Sequence, residues 1–149
     1  PKLPVAVIVP VLDEQAEGWV LQQTAVDVFS KFLNEIGEYK LILSSMWREP
    51  QIFGIDRTNI VLEKYSLPKC LDRTPTWSEC KRNKRGDQIL HWLSKNNIPL
   101  SPDVIIIDDE VYDIKNVIDY KHIIDCSGGW NKIGLTQKYI DYWKRRNRQ

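Results

Sequence analysis

Residues 104–113 read "VIIIDDEVYD", a run of β-branched residues that ends on two aspartates and a glutamate. Four such residues in a row suit a strand buried on both faces, as in a parallel sheet. Two adjacent carboxylates repel and raise one another's pKa unless a cation or strong donors stand beside them. The end of this strand is therefore expected to face something electropositive.

Working outward, "VAVIVPVL" (5–12) is a second apolar, valine-rich strand that Pro10 ends or bends, and "YKLILSS" (39–45) is a third. Between them Thr24 precedes "AVDVFSKFLNEIG", where Val28, Phe29, Phe32, Leu33 and Ile36 recur at helical spacing and Gly37 supplies the stop. "DRTNIVLEKY" (56–65) makes a short helix that Pro68 prevents from extending. "GDQILHWLSKNN" is a helix with Ile89, Leu90 and Leu93 inward. Beyond the opening stretch the pattern predicts a short helix near 113–119, a strand "HIID" (122–125), a glycine turn, and a last helix from about Thr136 to Arg146. Strands alternating with helices predict an α/β fold, a Rossmann-like three-layer sandwich with a mostly parallel sheet. The expected organisation is a single domain over 1–149, with 66–83 an irregular cap or loop insertion.

Three cysteines, Cys70, Cys80 and Cys126, cannot all pair internally, and no spacing resembles a zinc set, which favours a reduced, cytoplasmic setting. No apolar run approaches the roughly 18 to 20 residues of a membrane span, so a soluble protein without membrane contact is expected. The net charge of +1 says little about partners, although basic residues gather at Lys81–Arg85 and Lys144–Arg148.

In an open parallel sheet, ligands bind beyond the carboxyl ends of the strands. Asp13 and Glu14 follow the first strand, Ser44 and Ser45 the second, and Asp108 and Asp109 the "VIII" strand, while Lys84 and Arg85 open a helix. A serine hydroxyl there can donate to a phosphoryl oxygen, a basic residue can balance its charge, and a carboxylate pair can hold magnesium. Each residue alone also has an ordinary structural account, as a cap, a turn or a solvated charge. His91 and His122 fall away from the predicted crevice and are expected to be packed or solvated.

The succession of these features resembles the haloacid-dehalogenase (HAD) superfamily of phosphohydrolases. More narrowly, "LILSSMWRE", "RGDQILHWL", "DVIIIDDE" and "IGLTQKYID" resemble the small HAD-like domains of the Swiss-army-knife RNA-repair type, over roughly residues 5–143. The resemblance implies Ser44 and Ser45 for phosphate, Lys84 or Arg85 for charge balance, Asp108 and Asp109 for a magnesium cofactor, and Asp13 as a fourth, catalytic position. It also implies an Asp-x-Asp pair after the first strand, whose first member attacks phosphorus. Residues 1–12 contain no carboxylate; with Asp13 in the second place, Val11 stands in the first, and valine cannot form an aspartyl-phosphate. A register shift puts Val9 or Pro10 there instead.

Three readings stay open. The first is a HAD-like domain that has lost its nucleophile and works by binding a phosphorylated small molecule, a nucleic-acid end or a protein partner. The second is a magnesium-dependent phosphohydrolase acting on nucleotides or RNA termini, with Asp13, or a water held by Asp108, making the attack. The third is a nucleic-acid-binding module in which the basic clusters hold phosphates while Trp47, Trp77, Trp130 or Trp143 stack bases. Trp92 and Trp143 fall within helices and are expected in the core.

Overall fold

In the computed structural model of the chain the described residues are 5–9, 14–15, 20–21, 23–44, 54–108, 111–127 and 135–147. Five strands form one all-parallel sheet: β1 (Val5–Val9), β4 (Tyr39–Leu43), β5 (Asp72–Arg73), β6 (Val104–Asp108) and β7 (Ile123–Asp125), in the order β5-β4-β1-β6-β7. β1 lies at the centre, with Val9 paired to Leu43 on one side and Ile8 to Ile106 on the other. A separate two-stranded antiparallel pair, β2 (Glu14–Gln15) and β3 (Val20–Leu21), follows β1 in the chain. The expected α/β sandwich is the fold.

Successive strand residues point to opposite faces, and the continuous apolar runs bury both. On one face Val7, Val9, Leu41, Leu43, Ile105 and Ile107 pack against Phe29, Phe32 and Leu33 of α1 (Gln23–Ile36) and Ile140 of α5 (Gln137–Asn147). On the other, Ala6, Ile8, Ile42, Val104 and Ile106 pack against Ile89, Trp92 and Leu93 of α4 (Arg85–Lys95). Trp92 is a core residue, as its helical position suggested. Trp143 is half-buried, set edge-on to Phe32 with its indole nitrogen donating to the Lys121 carbonyl.

α1 begins at Gln23, so Thr24 lies in its first turn instead of capping it; Gln23 Nε2 donates to Asp27 Oδ1 one turn on. Gly37 closes the helix at φ +87°, a conformation a side chain would strain, and returns its N–H to the Leu33 carbonyl. α2 (Ile55–Lys64) matches the expected short helix. The segment 66–83 carries more order than expected: β5 extends the sheet edge parallel to β4, and α3 (Trp77–Cys80) opens on a capping box between Thr76 and Glu79.

The helix expected near 113–119 is instead a run of turns. Its backbone bonds close on the Val111 and Ile114 carbonyls and do not propagate, while Val111, Ile114 and Ile118 bury their side chains beside α4. A 3-10 turn, Tyr120–His122, then leads into β7. His122 is packed, with Nδ1 against the Val104 carbonyl at 3.1 Å, and His91 is exposed, so neither stands at the rim discussed next. Among the described residues no helix is long and apolar enough to cross a membrane.

Candidate functional site

The carboxyl ends of β4 and β6 supply the first two groups. Side-chain alternation that sends Leu41 and Leu43 to the α1 face and Ile42 to the α4 face sends Ser44 to the α4 face. The same alternation in β6 puts Asp108 on the face of Ile106. Ser44 extends the ladder, its N–H donating to the Val9 carbonyl at 2.8 Å. Ser44 and Asp108 thus flank β1 at one rim, on one face, two strand spacings or about 10 Å apart. Ser44 is 1% exposed, and its Oγ has no hydrogen-bond partner among the described residues. A buried hydroxyl left this way costs about 1 to 3 kcal/mol, a penalty that a ligand oxygen would remove.

Arg85, the first residue of α4, answers the charge of Asp108. Its Nη1 lies 2.9 Å from Oδ1 and 2.8 Å from Oδ2 of a carboxylate that is almost wholly buried. The helix start is fixed from two sides. The Arg85 N–H donates to Asp113 Oδ2 at 2.9 Å, and Gly86 lets the helix press on the 111–118 turns. A Cβ at position 86 would lie 2.6 Å from Val117 Cγ2 and 2.7 Å from the Asp113 carbonyl oxygen. Lys84 is the N-cap residue and is exposed, so Arg85 is the member of the basic pair that reaches Asp108.

One strand further along the rim, Asp125 is the register partner of Asp108. Its Oδ1 accepts from the Ser127 N–H at 2.9 Å and from the Ser127 hydroxyl, and its Oδ2 accepts from the Tyr120 hydroxyl. Burial works to raise the Asp125 carboxyl; the bonds from Ser127 and Tyr120 and the charge of Lys115 outweigh it, so the pKa falls. Burial, then the bond to Asp125, pushes the Tyr120 hydroxyl up to about 12.

Asp13, Ser45 and Asp109 lie outside the described residues, as do Val11, Trp47 and Trp130. Among the described residues no group of three or more His, Cys, Asp or Glu side chains converges as a metal set would. The one described metal candidate, Asp108, already faces a guanidinium. These donors do not by themselves make a magnesium site.

A model of the family described as the HAD domain in Swiss Army Knife RNA repair proteins matches residues 9–140. The chain belongs to that family. No curated protein and no solved structure matches it. In this HAD domain the match runs from the last residue of β1 into α5, and so spans Ser44, Arg85 and Asp108 together. Three supports of the HAD rim escaped sequence reasoning: Asp113 under the α4 start, Gly86 at the close approach, and the Asp125–Tyr120 pair. Glycine directly after the basic residue of "KRGD" was the one available signal, since glycine inside a helix is costly without a packing reason.

Proposed function

We propose that this domain recognises the phosphorylated end of an RNA chain and holds it, without efficient hydrolysis. The observation that carries the reading is the buried Ser44 hydroxyl, without a partner among the described residues, on the same rim and face as the Arg85–Asp108 pair. A phosphoryl oxygen is the acceptor that such a donor lacks, and Arg85, by neutralising Asp108, keeps that carboxylate from repelling it. The family's description, a domain in RNA repair proteins, supports an RNA end as the ligand.

Loss of turnover is supported by the sequence around the end of β1. The strand ends at Val9, no carboxylate occurs in residues 1–12, and the first aspartate of the chain is Asp13. An attacking carboxylate must sit within a few tenths of an ångström of in-line geometry to be worth its orientation. The resemblance puts Val11, or in a shifted register Val9 or Pro10, where the attacking aspartate would stand, and none of these side chains can attack phosphorus.

Calorimetric titration with one short oligoribonucleotide, with and without a terminal phosphate, tests the reading. The phosphorylated strand should bind at least tenfold more tightly, and Ser44→Ala should erase the difference. Equal affinities for the two strands sink the phosphate site. Turnover of the phosphorylated strand that Asp13→Asn abolishes would restore the enzymatic alternative. Asp108 with Asp109 would be the holders of a magnesium ion, so the titration is run with and without it. Phosphate preference that appears only with the ion makes the carboxylate pair its holder, and preference independent of it leaves Arg85 as the counter-charge.

A further inference from the structure

A groove of about 300 Å3 opens beside the end of β7, lined by Tyr120, Asp125, Ser127, Lys138, Tyr142 and Arg145. Cations and rings alternate along it. The Arg146 guanidinium lies 4.0 Å from the Tyr120 ring centre and 5.6 Å from that of Tyr142, and the Arg145 guanidinium 5.9 Å from Tyr142. Tyr142 is 54% exposed, so one of the largest apolar surfaces on α5 faces solvent.

Of the basic residues of α5, Lys144 pairs with Glu35 and Arg146 is bonded to the Tyr120 carbonyl. Lys138 and Arg145 are exposed and pair with no carboxylate among the described residues. The one carboxylate lining the groove, Asp125, has both oxygens occupied by Ser127 and Tyr120. What the groove offers a ligand is therefore two positive charges that pair with no carboxylate among the described residues, beside a half-exposed tyrosine ring already flanked by guanidinium groups. Exposed lysine and arginine ends bind phosphate, and a tyrosine ring stacks a base whatever its identity. A groove this small holds one monomer of a polymer at a time, and a folded protein partner would ask for a broader apolar face.

We infer that this groove is a sequence-tolerant footing for single-stranded RNA, stacking a base on Tyr142 and holding backbone phosphates with Lys138 and Arg145. Asp125 and Asp108 are register partners, so the groove begins one strand spacing, about 5 Å, from Asp108 and three spacings, about 15 Å, from Ser44, with α5 reaching it from the opposite face of the sheet. The inference rests on the proposed reading in taking one RNA strand as the ligand of both, with its end at Ser44 and the following nucleotides on α5.

Fluorescence anisotropy with an internally labelled, single-stranded oligoribonucleotide carrying hydroxyls at both ends makes the groove testable apart from the end site. Lys138→Ala with Arg145→Ala should weaken binding tenfold or more and flatten the log-affinity against log-salt slope by about 1.4, about 0.7 for each phosphate no longer neutralised. Tyr142→Ala should weaken binding several-fold with the salt slope unchanged, because stacking releases no counterion. All three positions are exposed, so thermal midpoints near that of the unaltered chain are expected and show that the variants fold. Affinity unaffected by either variant overturns the inference, and so does poly-glutamate binding as tightly as RNA, which would make the groove a seat for an acidic peptide. Failure of the end-site reading appears elsewhere, as indifference of the unaltered chain to a terminal phosphate.

Discussion

Arg85 opens α4 and Asp108 ends β6, the next element in the chain, and the two meet with the Arg85 Nη1 within 2.9 Å of both carboxylate oxygens. A pair of this kind, one member 1% exposed, is weak evidence of stability while intact and costly to break. It also settles the puzzle of a hydrophobic strand ending on acid. The strand delivers a carboxylate to a place where a helix start has already put a cation.

Arg85→Met removes the cation and leaves a buried carboxylate. The variant should lose about 3 kcal/mol at neutral pH, read from urea midpoints. A buried carboxyl that has lost a paired cation has its pKa raised, so the stability the variant forfeits is that of the ionised form. The deficit should therefore shrink as pH falls through the carboxyl range, and a deficit constant between pH 7 and pH 4 would refute the assignment.

Gly86→Ala places a methyl group 2.6 Å from Val117 Cγ2 and 2.7 Å from a backbone oxygen, closer than real contacts allow. Overpacking of this sort costs about 1 to 3 kcal/mol. Because the displaced helix start is the one that carries Arg85, the variant should lose terminal-phosphate preference as well as stability. Gly86→Ala combined with Val117→Ala should recover part of both, since the nearest obstructing atom is then gone.

Trp92 Nε1 donates to Asp72 Oδ2 at 2.8 Å, tying α4 to the edge strand β5. Trp92→Phe keeps most of the buried ring and drops the bond. A loss of about 1 kcal/mol is expected, with faster hydrogen exchange at Thr74, whose amide donates to the Leu43 carbonyl. Unchanged exchange there would mean that β5 is held by its ladder alone.

Glu79 is held at a pKa of about 2, chiefly by its bonds to Arg73 and also by the Thr76 N–H. A depressed carboxyl contributes stability that is present above its unfolded value, near 4.5, and is lost as pH falls towards 2. The pair is solvent-exposed, so the contribution is at most about 1 kcal/mol. Glu79→Gln should flatten the acid limb of the stability profile in that window and leave pH 7 to 8 little changed in slope.

Burial pushes the Cys70 thiol up to about 12, and Cys126 is buried as well, whereas Cys80 is partly exposed at the end of α3. Thiolate is the reactive form, so iodoacetamide at pH 8 should label Cys80 first in the folded chain. Labelling of Cys70 at a similar rate would show that the sheet edge opens far more readily than its packing implies.

The fold was legible because buried parallel strands write themselves as unbroken apolar runs: 5–9, 39–43 and 104–108 need no partner information to be recognised. β5 was not legible, being only Asp72 and Arg73, polar residues at the sheet edge whose extended form comes from pairing with Ile42 and Leu43. The 113–119 turns misled because Ile114 and Ile118 have helical spacing, yet their burial is imposed by α4 pressing at Gly86. At the candidate site, strand ends revealed Ser44 and Asp108. Asp113 was hidden, since a carboxylate that accepts a backbone N–H from a helix 28 residues earlier leaves no local pattern.

Central placement of β1 has a consequence for synthesis. This strand leaves the ribosome ahead of both neighbours, and it is hydrogen-bonded on one edge to residues 39–43 and on the other to residues 104–106. About a hundred further residues must be translated before that second edge is covered, and meanwhile an apolar ribbon of valine and isoleucine stands open to misassociation. Such a strand should call on holding factors during translation more than a sheet of sequential hairpins would.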